Sequence, residues 1–264
     1  MNAAREEIAF LAISKNRVAV LSTLNKEPVD RTELQQRAAV ERVTLGRILN
    51  DFEDRGWIRK TDREYALTPI GEMILRDFEN LLTTITTARK LDSVVQWLPT
   101  DEMPFDLRHL GSADITLPTT TDPAAPTRRA GQCLKTTSNV RLLMSFIVAE
   151  VVEACWDATI NGVQQLEAVF TAGVLETIRA DPTMSTKIRE MLSLDTVTVY
   201  RSDEGFPFTM EVLDDIAAFG VTDDENLPRA YFETGDEVVR NWVVTTFEQY
   251  KQEAVQIDPD EFGA

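Results

Sequence analysis

The sequence predicts a chain of the mixed α+β / α/β class: a small N-terminal domain, a long connecting helix and a larger C-terminal α/β domain. The chain has 264 residues, 43% of them hydrophobic, which is enough for two packed cores. Residues 1–91 carry 15 Lys and Arg against 14 Asp and Glu, whereas residues 92–264 carry 12 against 30. Apolar residues follow a helical period over most of the first 98 residues, and helix and strand patterns alternate after residue 127.

Composition argues against several classes of protein. Apolar runs end after about eight residues, far below the roughly 20 that span a bilayer, and no basic segment leads into an apolar stretch at the N-terminus. The two cysteines, Cys133 and Cys155, and the single histidine, His109, are too few for a disulfide framework or a zinc site. We therefore expect a cytoplasmic protein that is not an enzyme and has no catalytic residue, metal, cofactor or membrane partner.

The net charge of −17 does not by itself exclude nucleic acid as a partner, because the acidic excess lies outside the first third of the chain. The chain has 7 lysines against 20 arginines. Few lysines and many acidic residues are typical of halophilic archaea, whose proteins work in molar salt. An ordinary acidic protein of a mesophile is the alternative.

The first 68 residues predict a three-helix domain followed by a β-hairpin. Asp30 and Glu33 form a capping box for a short helix, and Gly56 supplies a left-handed C-cap. The predicted elements are helices over 5–13, from Ser14 or Asn16 to Leu24, 31–38 and 42–55, and strands over 57–60 and 64–67. Helix, short turn, helix and hairpin in this order define a winged helix-turn-helix.

The helix over 42–55 is the predicted reading helix, since an α-helix fits the DNA major groove and its N-terminal half reaches the base edges. Its buried stripe contains Leu45, Ile48, Leu49 and Phe52. The predicted base-contacting residues are Arg42, Thr44 and Arg47, with Asn50 deeper along the helix. Arg31 and Arg37 are predicted phosphate contacts, and Lys60 and Arg63 on the wing suit phosphates or the minor groove. The alternative is that these are solvated charges on a domain that contacts only proteins.

Apolar residues keep steps of three or four from Pro69 to Leu98, which predicts one long amphipathic helix. Pairing with the same helix of a second copy makes it a dimerisation candidate, and packing on its own C-terminal domain is the alternative. The predicted domains are 1–68, this helix over 69–98, an ordered linker over 99–127 with a strand near Asp114–Leu117, and 128–264.

The last part alternates helices and strands, which predicts an α/β layer domain with a partly parallel sheet. Helices are predicted over 127–135, 150–161, 172–180, 183–192 and 237–256, and strands over 139–146, 163–170, 196–200, 208–213, 217–222 and 229–233.

Two segments carry a family resemblance. Residues 30–58, ending in Arg55-Gly-Trp-Ile58, together with Leu67-Thr-Pro-Ile-Gly71, closely resemble the winged-helix domains of archaeal transcriptional regulators. Residues 204–215, 219–225 and 230–242 resemble the ligand-sensing domain of archaeal methanogenesis-type regulators, which is widespread in haloarchaea and related to phospholipase-D-like sensors. Phospholipase-D enzymes need a His-x-Lys pair, and this sequence has no histidine after His109.

The resemblance implies a non-catalytic cleft that senses a ligand. Candidate lining residues are Arg141, Phe206, Phe208, Asp214 and Trp242, near strand ends where α/β clefts open. Core packing is the alternative for the three aromatic residues, and a turn is the alternative for Asp214. Cys133 and Cys155 are either redox reporters or buried thiols.

The predicted function is a ligand-responsive, sequence-specific transcriptional regulator that binds a pseudo-palindromic site on double-stranded DNA as a homodimer. An unknown small molecule would be its effector. A winged-helix adaptor that contacts the transcription machinery is the first alternative, and a degenerate phospholipase-D-like enzyme is the second.

Overall fold

The computed structural model describes residues 2–206 and 208–262 and divides into two compact units, one up to Thr86 and one from Thr87 onward. Each unit has its own hydrophobic core. Within the described ranges, no helix is both long and apolar enough to cross a membrane.

The first unit contains the predicted helices and hairpin, with one additional strand. Its elements are α1 Asn2–Ala12, α2 Lys15–Leu24, β1 Val29–Asp30, α3 Arg31–Arg37, α4 Arg42–Asp54, β2 Ile58–Thr61, β3 Glu64–Leu67 and the beginning of α5 at Pro69. The strands form an antiparallel sheet in the order β1-β3-β2. Strand β1 was not predicted, because two residues are too few to show an alternating pattern.

Aromatic packing fixes the end of α4 against α1. The rings of Phe10, Phe52 and Trp57 contact one another at centroid separations of 5.6 to 6.1 Å. The guanidinium groups of Arg17 and Arg55 lie 3.7 and 3.8 Å from the centroid of the Phe10 ring. This contact holds the C-terminal half of α4 in place, so its N-terminal half projects from a rigid base.

Helix α5 is shorter than predicted: it runs over Pro69–Leu91 and does not reach Leu98. A turn and a short 3-10 helix, Val95–Trp97, follow. Leu91, Val94 and Leu98 are all buried in the core of the second unit, so the apolar steps of three and four residues continue after the α-helix has ended. The ammonium group of Lys90 donates to the carbonyl oxygens of Gly111 and Ala113, a tertiary contact at the helix end that sequence periodicity does not report.

The second unit is a sheet between two layers of helices. Its elements are β4 Asp114–Thr116, α6 Ala125–Thr136, β5 Asn139–Met144, α7 Ala149–Ile160, β6 Gln165–Thr171, α8 Ala172–Ala180, α9 Pro182–Leu192, β7 Val197–Ser202, β8 Thr209–Leu213, β9 Ile216–Thr222, β10 Pro228–Thr234, α10 Glu237–Glu253 and β11 Val255–Gln256, with 3-10 helices at Leu107–Leu110 and Pro259–Phe262.

The sheet is mixed, with strand order β11-β7-β6-β5-β8-β9-β10-β4. Strands β5, β6 and β7 are parallel, and every other pairing is antiparallel. Helices α6 to α9 cover one face, and α10 with the segment after α5 covers the other. The segment predicted as a linker, 99–127, contains strand β4, which pairs with β10, and the first residues of α6.

Candidate nucleic-acid interface

The turn between α3 and α4 sets the position of the reading helix. The carboxylate of Asp30 accepts hydrogen bonds from the backbone amides of Thr32 and Glu33 at 2.8 and 2.9 Å, which starts α3. Ala39 adopts a positive φ of 52°, and Val40 is buried beside it. The chain is thereby redirected, and α4 begins at Arg42 with its first turn exposed.

Helix α4 presents a polar face opposite its buried stripe. Leu45, Ile48, Leu49 and Phe52 are buried. Arg42, Arg47 and Asn50 are exposed, as the sequence indicated, whereas Thr44 is half-buried at the side of the helix.

Sequence reasoning missed Val43, which lies between Arg42 and Thr44 and exposes 68% of its surface on the same face as Arg47. An apolar side chain here suits the methyl group of thymine. The sequence could have indicated Val43, because it is an apolar residue that lies outside the buried stripe of α4.

Arg31 belongs to α3 but lies over α4. Its Nη2 donates to the carbonyl oxygen of Arg42 at 3.3 Å. A Cβ added to Gly46 would lie 2.8 Å from the same Nη2, so the glycine leaves room for the guanidinium group. The structure thus places Arg31 beside the first turn of the reading helix.

Arg37 is differently placed, because two carboxylates already hold it. Its guanidinium group pairs with Glu27 at 2.7 Å and with Glu33 at 2.5 Å. The hydrogen bond with Glu27 is the main reason why the pKa of Arg37 is raised. A phosphate would have to compete with both carboxylates, so the predicted contact of Arg37 with DNA is the least favoured of the set.

The wing is the hairpin β2–β3, turned at Asp62, whose φ is 55°. Lys60 pairs with Tyr65 across the strands, and its ammonium group lies 5.4 Å from the centroid of the Tyr65 ring. Arg63 is exposed at the turn. Strand alternation puts the exposed Arg59 on the face opposite Lys60. Arg59 is therefore a further wing cation, beside Lys60 and Arg63, and the sequence analysis did not single it out.

The five residues predicted to line a ligand site do not come together. The rings of Phe208 and Trp242 are in contact, with centroids 5.7 Å apart, and the buried Phe206 packs on Tyr250. Asp214 lies at the other end of β8, where its carboxylate accepts from the backbone amide of Asn139 at 2.9 Å.

Arg141 is held by carboxylates on the face of the sheet that carries α10. It pairs with Glu167 at 3.6 Å and with Glu248 at 3.3 Å. Of the predicted set, only Phe208 and Trp242 share a groove, which also contains Tyr250.

Cys155 is buried in the core, whereas Cys133 and His109 each contact a carboxylate. Burial raises the pKa of the Cys155 thiol to about 12, and burial with a hydrogen bond to Glu233 does the same for Cys133. Such thiols are poor nucleophiles at neutral pH. His109 Nδ1 lies 3.1 Å from a carboxylate oxygen of Asp236, which also caps α10 through the backbone amides of Val238 and Val239.

Two family models match the chain, one for each unit. Residues 5–90 match the HVO_A0261 N-terminal domain, and residues 123–253 match the middle domain of the methanogenesis regulatory protein FilR1. No curated protein matches the chain in sequence.

Three solved structures are distantly similar to the chain. TrmBL2, described as an archaeal chromatin protein with a novel mode of DNA binding, is 15% identical, with 90% of this chain and 93% of that chain covered and a TM-score of 0.43. Nuc from Salmonella typhimurium, a phospholipase D family member, is 12% identical, with 56% of this chain and 99% of that chain covered and a TM-score of 0.44. NucT from Helicobacter pylori is 9% identical, with 55% of this chain and 99% of that chain covered and a TM-score of 0.42.

A winged-helix unit followed by a three-layer α/β unit, the second of which matches the middle domain of a regulatory protein, defines a two-domain regulator. The first unit is thus similar to the HVO_A0261 N-terminal domain, and the second unit is similar to the middle domain of the methanogenesis regulatory protein FilR1.

Proposed function

We propose that this protein is a sequence-specific transcriptional regulator that binds double-stranded DNA through α4 and the wing. The observation that carries the proposal is the polar face of α4, where Arg42, Arg47 and Asn50 are exposed opposite a fully buried stripe. Arginine donates two hydrogen bonds to the edge of guanine, and asparagine pairs similarly with adenine. These side chains provide base recognition at the N-terminal end of a helix that fits the major groove.

The remaining cations position the domain on the duplex. Arg31 beside the first turn of α4, and Arg59 and Arg63 on the wing, are exposed and suit phosphates. Counterion release weakens such contacts as salt rises. If the protein works in the molar salt that its composition suggests, base contacts and DNA shape carry more of the affinity.

The binding test is selection from a random DNA pool with the full-length protein, over KCl concentrations up to the molar range. Wild type is expected to enrich one inverted repeat. Arg47→Ala should lose this enrichment, while Arg189→Ala, which removes an exposed arginine from α9, should retain it. No enrichment by wild type at any salt would contradict the proposal. Normal gene regulation by an Arg42→Ala, Arg47→Ala variant would favour the protein-contacting adaptor.

The protein acts as a homodimer in this proposal, with α5 as part of the interface. Helix α5 exposes a row of large apolar side chains, with 41 to 54% of each accessible: Ile70, Met73, Leu81, Leu82 and Ile85. An exposed apolar row of this length is typical of a surface that a partner covers. A twofold dimer would present two reading helices to the halves of a pseudo-palindromic site.

The dimer is tested by light scattering after size exclusion, with two matched variants of α5. Ile85→Glu places a charge within the apolar row and should convert a dimer to a monomer with weaker binding to an inverted repeat. Thr83→Glu adds the same charge at an exposed polar position two residues away and should remain dimeric. A wild-type monomer, or dimers for both variants, would exclude this interface.

The second unit is proposed to sense a small molecule, as its match to a regulator middle domain supports. An effector changes DNA binding only if it binds the DNA-competent and incompetent states with different affinity. Catalysis is not part of the proposal, and absence of turnover on phosphodiester substrates is the expected result.

A further inference from the structure

A pocket lies between the sheet and helices α6 and α7 of the second unit. Its walls are mostly apolar and include Pro126 and Ala130 of α6, Met144 of β5 and Val151 of α7. The empty space is about 400 Å³ with its open mouth included. Only about 30 Å³ of this space is open to the centre of a water-sized molecule, so the pocket is narrow and admits a slender molecule rather than a nucleotide or a sugar.

One carboxyl group lies in this apolar wall. Glu211 is in the middle of β8, points to the face covered by α6 and α7, and is only 2% exposed. The Tyr231 hydroxyl donates a hydrogen bond of 2.6 Å to its Oε2. Burial raises the pKa of Glu211 to about 7, with a further upward contribution from Glu233, and the hydrogen bond from Tyr231 acts in the opposite direction.

The neighbouring carboxylate is neutralised, but Glu211 is not. Arg129 makes a bidentate pair with Glu233 at 2.7 and 2.8 Å, and the thiol of Cys133 donates to the same carboxylate. Among residues 2–206 and 208–262, no lysine or arginine nitrogen lies within 4.0 Å of the Glu211 carboxylate. A buried carboxylate without a cation is costly, so Glu211 retains its proton up to about pH 7, and a cationic ligand would stabilise its ionised form.

We propose that this pocket binds a slender molecule with a protonated primary amine, whose ammonium group pairs with Glu211 and whose apolar part lies against Met144 and Val151. This assignment deepens the proposed function, because it names the chemical class of the effector. An ammonium group supplies the cation that Glu211 lacks and donates to the Tyr231 oxygen as well. A carboxylate ligand would be repelled by Glu211, and a neutral alcohol would leave its charge unpaired.

The test is isothermal titration of the full-length protein with butylamine, and with 1-butanol and butyrate as neutral and anionic probes of similar size. Butylamine should bind wild type, and butyrate should not. Glu211→Gln keeps an oxygen that accepts from Tyr231 and should weaken butylamine binding by about tenfold or more, since a charged hydrogen bond is lost. Glu225→Gln, which neutralises an exposed residue between β9 and β10, should bind as wild type does.

A second measurement detects the proton that Glu211 releases when butylamine binds. Butylamine stabilises the ionised form of Glu211, so near pH 7 its binding should release protons and the measured enthalpy should depend on the ionisation enthalpy of the buffer. Glu211→Gln should abolish this dependence, and circular dichroism should show that the variant is folded. Equal affinity of wild type and Glu211→Gln, or no binding of butylamine to wild type, would overturn the assignment.

These outcomes are separable from those of the proposed function. Loss of amine binding in a protein that still enriches an inverted repeat overturns only the pocket. Intact amine binding in a protein that enriches no DNA overturns the regulator and leaves the pocket.

Discussion

At Gly71 the first turn of α5 meets the backbone of Trp57, three residues after the end of α4. A Cβ at this position would overlap the carbonyl oxygen of Trp57. Thr68 reinforces the contact, because its hydroxyl donates to the carbonyl oxygen of Gly56 at 2.7 Å and accepts from the amide of Gly71 at 3.1 Å. The Thr-Pro-Ile-Gly sequence thus joins α5 to the end of the reading helix.

Gly71→Ala is therefore expected to destabilise the first unit by about 3 kcal/mol, since a backbone atom cannot move aside as a side chain can. Gly173→Ala is the matched control: this glycine of α8 has no neighbouring atom near a new Cβ, and the change should be neutral or slightly stabilising. Urea denaturation of both variants measures the difference. A Gly71→Ala protein as stable as wild type would refute the close contact.

Glu211 gives a stability difference that depends on pH. Its pKa is about 7 in the folded protein against 4.5 for an ordinary glutamate, so the folded state retains a proton that the unfolded state releases. Stability must fall as pH rises through this interval, by about 3 kcal/mol in total. Glu211→Gln removes this loss and should gain stability over wild type at about pH 8 but far less at about pH 5.

Free energies of unfolding at the two pH values, with Glu225→Gln as the control, provide the measurement. Comparison with wild type cancels the other titrating groups. Parallel pH profiles for wild type and Glu211→Gln would mean that this carboxyl group has an ordinary pKa.

The wing shows what a single element adds to the sequence pattern. The charge of Lys60 makes it a predicted DNA contact. Strand alternation from the buried Ile58, however, puts Lys60 next to Tyr65, and it puts Arg59 on the opposite face of the hairpin. The alternation of β2 from Ile58 onward already contains this information. The pairing of Arg37 with Glu27 and Glu33 was not readable in the same way, because Glu27 lies outside α3 and is brought close only by the fold.

Arg59→Ala is accordingly expected to weaken DNA binding more than Lys60→Ala does. If Arg59 contacts a phosphate, its removal should also lower the slope of log affinity against log salt by about 1. Fluorescence anisotropy over a salt series, on the selected inverted repeat, measures both quantities. A larger effect from Lys60→Ala would assign the wing contact to the other face of the hairpin.

The whole molecule carries its charge unevenly, and this affects its stability. Residues 92–264 hold 30 acidic against 12 basic residues, so the second unit repels itself at low ionic strength. The melting temperature should rise as KCl is increased to molar concentrations, because salt screens this repulsion. Sucrose stabilises by exclusion without screening and is the control. A melting temperature that falls with KCl would contradict the expectation.

The sequence by itself determined the order and type of nearly all helices and strands, since each is long enough to show its period, and it identified α4 as the polar helix of a winged domain. Only the tertiary structure decided where α5 ends, because Leu91, Val94 and Leu98 keep a helical spacing although the helix ends at Leu91, where Lys90 donates to the carbonyl oxygens of Gly111 and Ala113.

The sequence also placed Arg141, Phe208 and Asp214 near strand ends, but a one-dimensional pattern does not say which ends of a mixed sheet are neighbours. Phe208 and Asp214 flank β8, and its antiparallel pairing with β5 places Asp214 beside Asn139 at the start of β5 and Phe208 near the other end of that strand. The same pairing turns Glu211 toward α6 and α7, and burial on that face raises the pKa of its carboxyl group to about 7.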